Sequence, residues 1–150
     1  MKKFKILIPV YNDWQSLSKL LNNIDSEIQN INHQISVIVI DDASTFDRQL
    51  EIENLSNISS IKILIMKENR GHARCIAAGL KYIFEKEEFD YVIPMDGDGE
   101  DRPEEIKEFI KSIENNPEQT VVGERVKRSE ALIFKFCYFF HKIITLVFTG

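Results

Sequence analysis

Four short runs of apolar, mostly β-branched residues limit what this chain can fold into more than any other feature. They are Phe4–Val10, Ile35–Ile40, Ile61–Met66 and Tyr91–Met95. Ile35–Ile40 is apolar at nearly every position, as a parallel strand that is buried on both faces should be. Amphipathic helical segments separate the runs, and strands that alternate with helices form βαβ units. The sequence therefore predicts an α/β fold with a mostly parallel sheet flanked by helices.

Three segments have apolar residues at helical spacing. The first follows a helix cap at Asn12 or Asp13, and the second follows the break at residues 69–71. The third begins at Pro103, and Asp101 ahead of it resembles the cap of a capping box. The apolar positions are Leu17, Leu20, Leu21, Ile24 and Ile28 in the first segment, Ile76, Leu80, Ile83 and Phe84 in the second, and Ile106, Phe109, Ile110 and Ile113 in the third.

The remaining segments give weaker signals. Residues 47–57 are polar and predict a weak helix, and residues 121–123 predict a short fifth strand. The aromatic and basic segment 129–150 predicts an amphipathic helix, which leaves a core domain at residues 1–128. We expect this helix to lie on a membrane surface through residues 131–148. The alternative is packing against the sheet or against a further part of the protein.

The charge distribution excludes some classes of function. The 150-residue chain has a formal net charge of −5, yet residues 121–150 contain five Lys or Arg and two Glu. An acidic body argues against general nucleic-acid binding, whereas a basic aromatic tail permits contact with an anionic membrane. Two cysteines without metal-ligand spacing, and no signal peptide, indicate a cytoplasmic setting. The expected location is peripheral, on the cytoplasmic face of a membrane, with the oligomeric state left open.

Polar side chains follow three of the predicted strands, at the point where each strand ends. These clusters are Tyr11–Asp13, Asp41–Asp42 and Asp96–Asp98. In open α/β sheets the crevice beyond the carboxyl ends of the strands is where ligands bind. No GxGxxG or GxxxxGK[ST] pattern occurs, so the usual dinucleotide and P-loop phosphate sites are not expected.

The acidic turn after the fourth strand predicts a metal site. Asp96, Asp98 and Glu100 crowd negative charge that a cation would compensate. Ligands that are all oxygens favour Mg²⁺ or Mn²⁺, which in proteins also hold substrate phosphates. The alternative interpretation is an acidic turn that only leads into the third helix.

The ordered motifs resemble a known family. They are Pro9–Asn12, Val39–Ser44, Asn69–His72, Ala78–Leu80 and Met95–Glu104. Together they are similar to the inverting family-2 glycosyltransferases with a GT-A fold, and most of all to the dolichyl- and undecaprenyl-phosphate sugar transferases. The resemblance covers residues 4–128. It implies a nucleotide-sugar donor, a divalent metal and transfer of the sugar with inversion.

By the same resemblance, one set of residues is expected to bind the nucleotide. Either Asp41 or Asp42, with Asp42 favoured, would accept a hydrogen bond from the base. The loop before the second helix contributes to the same site, and His72 in it is expected to be structural or to line the pocket. The remaining expected nucleotide-binding residues are Pro9, Tyr11, Asn12, Arg70, Gly71 and Asp96.

A second set is expected to serve the metal and the phosphates. Asp96 and Asp98 match the metal-binding DxD, and Glu100 stands where the polyprenyl-phosphate enzymes often carry Gln as a further ligand. Arg125 matches an arginine expected near the donor diphosphate or the acceptor phosphate, a task that Lys127 and Arg128 would share. Asp98 and Arg125 are the expected catalytic residues.

These expectations predict a metal-dependent enzyme that moves a sugar from a UDP- or GDP-sugar to a polyprenyl phosphate. A lipid phosphate is already an anion and needs no general base, and no carboxylate here must act as one. Two alternatives stay open: transfer to a saccharide hydroxyl in cell-surface polysaccharide or glycolipid synthesis, and a non-catalytic nucleotide-sugar binding module. The chain looks like the donor-binding core of a longer enzyme, or a reduced version of one.

Overall fold

The computed structural model describes residues 1–52 and 55–123. A compact unit comprises Met1–Gln119, and a second unit comprises Thr120–Gly150. The elements in chain order are β1 Lys3–Val10, α1 Trp14–Glu27, β2 Gln34–Asp41, β3 Ile61–Ile65, α2 His72–Lys86, β4 Tyr91–Pro94, a 3₁₀ turn Pro103–Glu105 and α3 Ile106–Asn115. None of the described helices is long and apolar enough to cross a membrane.

The strands form one parallel sheet in the order β3-β2-β1-β4. In register, Phe4 of β1 lies between Ile35 of β2 and Tyr91 of β4. The rings of Phe4 and Tyr91 stack with their centroids 5.1 Å apart. The predicted parallel α/β sheet is confirmed, because the apolar runs are the strands and β1 and β2 are buried along most of their length.

One face of the sheet is covered by α2. Its buried residues are Cys75, Gly79 and Ile83. A Cβ atom at Gly79 would lie 2.5 Å from Leu7 Cδ1, so any larger residue would require the packed side chains or the helix to shift. The sequence placed Leu80 and Phe84 on the packed face, and this was wrong, because these residues are 40% and 80% exposed. The buried positions of α2 are each one residue earlier than the predicted positions 76, 80 and 84.

The other face carries Phe4, Ile6 and Ile8, which alternate with Leu7 along β1 and are fully buried. The right-handed rule for parallel crossovers places α1 on this face. The apolar stripe of α1 is buried, and α1 lies against the Pro103–Glu105 turn that leads into α3. An ion pair also joins α1 to α3, with 2.8 Å between Glu27 Oε2 and Lys107 Nζ.

Residues 45–58, here named the strap, connect β2 to β3 along α1. The predicted helix at 47–57 was wrong, since none of its described residues is helical. The strap is held by side chains of α1. The Ser18 hydroxyl accepts a hydrogen bond from the Glu51 N–H, and the Asp25 carboxylate accepts from the N–H groups of Ser56, Asn57 and Ile58.

Of the second unit, the structure describes residues 120–123 only, and these contain no helix or strand. The predicted fifth strand at 121–123 was therefore wrong. The predicted helix at 129–150, its membrane contact at 131–148 and the domain boundary after residue 128 lie outside the described residues.

Candidate functional site

The strand order creates a crevice beside β1. The chain moves from β1 outward to β2 and β3, and then crosses to β4 on the other side of β1. At such a topological switch point the connections leave the sheet in opposite directions, so a cleft opens between the strand ends. A cleft of about 360 Å³ lies there, and its lining includes Pro9, Tyr11, Asp13, His72, Asp96 and Asp98. The structure thus brings together two of the three predicted clusters.

The floor of this cleft depends on Gly97. A Cβ atom there would lie 2.7 Å from the carbonyl oxygen of Pro9, a backbone atom that cannot move aside. The turn is tightened by its own acids: Asp101 Oδ2 accepts a hydrogen bond from the Asp96 N–H at 2.8 Å, and Asp98 Oδ1 accepts from the Glu100 N–H at 2.9 Å. Asp101 therefore caps this turn, and the predicted capping box at the third helix was wrong.

The carboxylates of the turn differ in exposure. Asp96 is partly buried, whereas Asp98 and Glu100 are exposed. Within residues 1–52 and 55–123, no group of three His, Cys, Asp or Glu side chains is arranged to hold a metal ion. The predicted set of three carboxylates is thus not assembled as a cage. Mg²⁺ usually takes one or two carboxylates together with substrate phosphates, and Asp96 and Asp98 fit that donor set.

His72 faces this acidic turn from the start of α2. Its Nε2 atom lies 3.3 Å from Asp96 Oδ1, and its side chain is more than half exposed. His72 was expected to be structural or to line the nucleotide pocket, and in the structure it lines this cleft. Its pairing with Asp96 could not be read from the sequence, because 24 positions separate the two residues and only the sheet order joins them.

Asn12 links the loop after β1 to the loop after β2. It has a φ of 57°, and its Oδ1 atom accepts hydrogen bonds from the N–H groups of Thr45 and Phe46 at 2.8 and 3.0 Å. Its own N–H donates to the Ser44 hydroxyl at 2.8 Å. The amide predicted to line a nucleoside pocket is therefore bonded to the strap, whereas the neighbouring Tyr11 side chain is 48% exposed at the cleft.

Asp41 and Asp42 are both buried at the end of β2, and each is 4% exposed. Asp41 Oδ1 accepts a hydrogen bond from the Ser44 N–H at 2.8 Å. The two oxygens of Asp42 accept from the N–H groups of Arg70 and Gly71, at 2.9 and 2.8 Å. The sequence predicted that one of these aspartates accepts a hydrogen bond from a base. In the structure both already hold backbone loops.

Two further features define the chemistry near the cleft. Arg70 contacts two acidic residues in different ways. Its guanidinium pairs with Glu68, and its backbone N–H donates a hydrogen bond to Asp42.

Burial, followed by the charges of Asp42 and Asp41, raises the pKa of the Cys75 thiol to about 11. Cys75 is therefore a packing residue at neutral pH and not a nucleophile. The predicted phosphate contacts Arg125, Lys127 and Arg128 lie outside the described residues.

Known proteins are similar to this chain in sequence and in fold. Residues 5–136 match the model of the family described as Glycosyl transferase family 2. The undecaprenyl-phosphate 4-deoxy-4-formamido-L-arabinose transferase of Pseudomonas savastanoi pv. phaseolicola is 32% identical over 73% of this chain and 32% of its own. The dolichol-phosphate mannosyltransferase of Pyrococcus furiosus is 27% identical over 83% of this chain and 34% of its own.

A solved structure agrees with the fold. TarS 1–349 of S. aureus, in complex with UDP, has a TM-score of 0.58 and 26% identity over 85% of this chain and 38% of that one. The predicted GT-A type of α/β fold is confirmed by this likeness. The chain spans about a third of the length of the two transferases named above. Because the family model matches 5–136, most of the sequence, the chain belongs to glycosyl transferase family 2.

Proposed function

We propose that this chain is the donor-binding core of a glycosyltransferase that moves a sugar from a nucleoside-diphosphate donor to a polyprenyl phosphate. Membership of glycosyl transferase family 2 supports the transferase class. Relatives named for undecaprenyl phosphate and dolichol phosphate support the acceptor, and the likeness to a structure solved with UDP supports the donor. The observation that carries the proposal is the pair Asp96 and Asp98 at the switch-point cleft.

The cleft has suitable groups for each part of a donor. The exposed ring of Tyr11 offers an apolar face for a nucleobase. The N-terminus of α2 and His72 lie across from the acidic turn, and backbone N–H groups at a helix start favour phosphate. Asp96 and Asp98 would hold a divalent cation that offsets the charge of the diphosphate, with Glu100 as a further ligand.

The chemistry follows from the charge that develops as the sugar leaves. Departure of the nucleoside diphosphate places negative charge on its bridging oxygen, and the bound cation would act there as a Lewis acid. Asp98 orients that cation, and Arg125, Lys127 and Arg128 are proposed to meet the remaining phosphate charge. The acceptor phosphate attacks the anomeric carbon from the opposite face as an anion. It therefore needs cationic positioning and no general base.

We also propose that the reaction takes place at a membrane surface. A polyprenyl acceptor is embedded in a membrane, so the protein would bind peripherally to the cytoplasmic face through residues 131–148. The aromatic and basic composition of this segment supports that role, because aromatic side chains favour the headgroup region and Lys attracts anionic lipids.

A thermal-shift titration with UDP and with GDP, each with and without Mn²⁺, tests the donor site. We expect one nucleotide to raise Tm only when Mn²⁺ is present. A ligand at 100 times its Kd stabilises by about 2.7 kcal/mol, which is about 5–10 °C for a chain of this size. This result would also identify the base.

Two variants make the titration specific. Asp98→Asn removes a proposed metal ligand from an exposed position, so the protein should fold normally and lose the Mn²⁺-dependent shift. Glu104→Gln is the matched control, since it removes one exposed negative charge from the neighbouring turn without touching the cleft. An unchanged Mn²⁺-dependent shift in Asp98→Asn would contradict the metal assignment. No shift of the native chain with either nucleotide would contradict the donor site.

A further inference from the structure

One buried carboxylate holds the turn that starts α2. The two oxygens of Asp42 accept hydrogen bonds from consecutive backbone N–H groups, those of Arg70 and Gly71. Hydrogen bonds to an ionised acceptor are about twice as strong as neutral ones. Gly71 is the N-cap residue of α2, and it has no side chain of its own that could accept a hydrogen bond from the first turn. The carboxylate at the end of β2 therefore fixes where α2 begins.

The start of α2 in turn sets the geometry of the cleft. His72 is the first residue of the helix, and its imidazole lies 3.3 Å from Asp96 Oδ1. His72 and Asp96 line the cleft together with Asp98. A displacement of the Arg70–Gly71 turn would therefore move one wall of the cleft relative to the acidic turn.

We propose that Asp42 is a positioning residue for the donor diphosphate and does not read the nucleobase. This inference rests on the function proposed above. Asp42 is 4% exposed and is not among the side chains that line the cleft. Because Asp42 is buried, a base could reach its oxygens only if the turn that they hold moved aside. Asp42 acts on the ligand through the turn and His72.

Inorganic pyrophosphate distinguishes the two roles, because it has the diphosphate and lacks the base. We would measure the affinity of the full chain for pyrophosphate and for UDP or GDP, whichever stabilises it, each with Mn²⁺, by calorimetry. In Asp42→Asn an amide N–H would face a backbone N–H, so the turn should shift. We expect both affinities to fall by the same factor, about 10- to 100-fold, as for residues that orient metal ligands.

Gly71→Ala perturbs the same turn without removing the carboxylate. Gly71 has a φ of 83°, and a Cβ atom there would meet nothing within 4 Å, so the substitution strains the backbone without a clash. We expect an equal loss of affinity for pyrophosphate and nucleotide. Asp25→Asn is the matched control, since Asp25 is also a buried carboxylate that accepts backbone N–H groups, but on the strap. It should lower Tm and leave both affinities unchanged.

The outcomes separate the inference from the proposed function. If Asp42→Asn loses nucleotide affinity and keeps pyrophosphate affinity, Asp42 reads the base, and the inference fails while the function stands. If Asp42→Asn does not fold, Gly71→Ala decides, and unchanged pyrophosphate affinity in that variant overturns the inference. If the native chain binds neither ligand with Mn²⁺, the proposed function fails and takes the inference with it.

Discussion

Among single residues, Gly97 sets how closely the turn after β4 approaches the end of β1. The gap leaves no room for a methyl group, because Pro9 O would lie 2.7 Å from it. Both backbone segments are anchored, β1 by its neighbours on either side and the turn by the bond from the Asp96 N–H to Asp101. The width of the cleft therefore depends on the absence of a side chain at this position.

Gly97→Ala should destabilise the protein by about 1–3 kcal/mol, as overpacking does, and lower nucleotide affinity. Chemical denaturation with linear extrapolation measures the first effect and calorimetry the second. Gly99→Ala is the comparison: it strains a residue with a φ of 82° but meets nothing within 4 Å. It should cost about 1–2 kcal/mol from the left-handed backbone alone. If Gly97→Ala has the same free energy of unfolding as the native protein, the turn moves to make room for the methyl group, and the prediction is wrong.

Ala43 is a second position where the backbone of the site is strained. Its φ of 57° lies in the left-handed region, where a Cβ atom is unfavourable. It follows Asp42 directly, and the bond from the Ser44 N–H to Asp41 closes the turn around it. The strain is therefore part of how the end of β2 is shaped.

Ala43→Gly should relieve this strain and stabilise the protein by about 0.5–1 kcal/mol, the left-handed penalty less the entropic cost of glycine. Ala77→Gly, at an exposed position inside α2, should instead destabilise by about 1 kcal/mol. Equilibrium denaturation of both variants tests the sign of each effect. Equal destabilisation in the two variants would contradict the strain at Ala43.

Among the elements, the strap is the segment whose structure comes from a neighbour. It has no helix or strand of its own in its described residues, so its backbone groups find partners on α1. Burial of Asp25 pushes the pKa of its carboxyl up, but hydrogen bonds from Ile58, Asn57 and Ser56 outweigh burial and hold that pKa below its ordinary value. An ionised Asp25 is thus the anchor of the strap.

Asp25→Asn should destabilise the protein by about 2–3 kcal/mol, because charge-assisted bonds to the strap are lost. A carboxyl whose pKa is lowered by folding contributes stability above its unfolded value, and this contribution disappears as the pH falls through the lower folded value. The difference in Tm between native and Asp25→Asn should thus be constant above pH 5 or so, and shrink as the pH falls below about 4. A difference that grows towards low pH would be inconsistent with this role.

For the whole molecule, the strand order matters most, because it places the ends of β1 and β4 next to each other at the switch point. The opposite end of the sheet carries a different arrangement. There Glu87 pairs with both Lys5 and Lys62, and the bond from Lys62, with further help from Lys5, lowers the pKa of Glu87 although burial opposes this. One end of the sheet thus carries paired charges, whereas the acidic side chains of Asp96 and Asp98 line the cleft at the other end.

Membrane attachment is a prediction for the full chain. Replacing Phe139 and Phe140 with Ser should lower binding to vesicles with anionic lipids by about tenfold, since each removes apolar area from the interface. Phe84→Ser is the matched control, because Phe84 is an exposed aromatic residue on α2, outside the proposed segment. Vesicle flotation measures both. No binding by the native chain, or an equal loss in the control, would contradict the role of residues 131–148.

The fold class could be predicted from the sequence, because short apolar, β-branched runs that alternate with amphipathic helical segments are typical of a parallel α/β sheet. The sequence also determined which residues form the acidic turn, since Asp96 and Asp98 follow the fourth strand directly. Local sequence patterns gave a wrong prediction where contacts with another element determine the backbone conformation. The polar segment 47–57 reads as a weak helix, yet the carboxylate of Asp25 holds part of it in an irregular path.

Which of these residues meet depends on the order of the strands in the folded sheet. The order β3-β2-β1-β4 places Tyr11 and His72 at the same cleft as Asp96, although they are far apart in the chain. The motif predicted that Asp42 accepts a hydrogen bond from a nucleobase. In the folded protein its partners are instead backbone N–H groups of the turn before α2. Periodicity along a chain reports which faces are buried, but long-range hydrogen bonds depend on how strands are ordered, and no local pattern encodes that order.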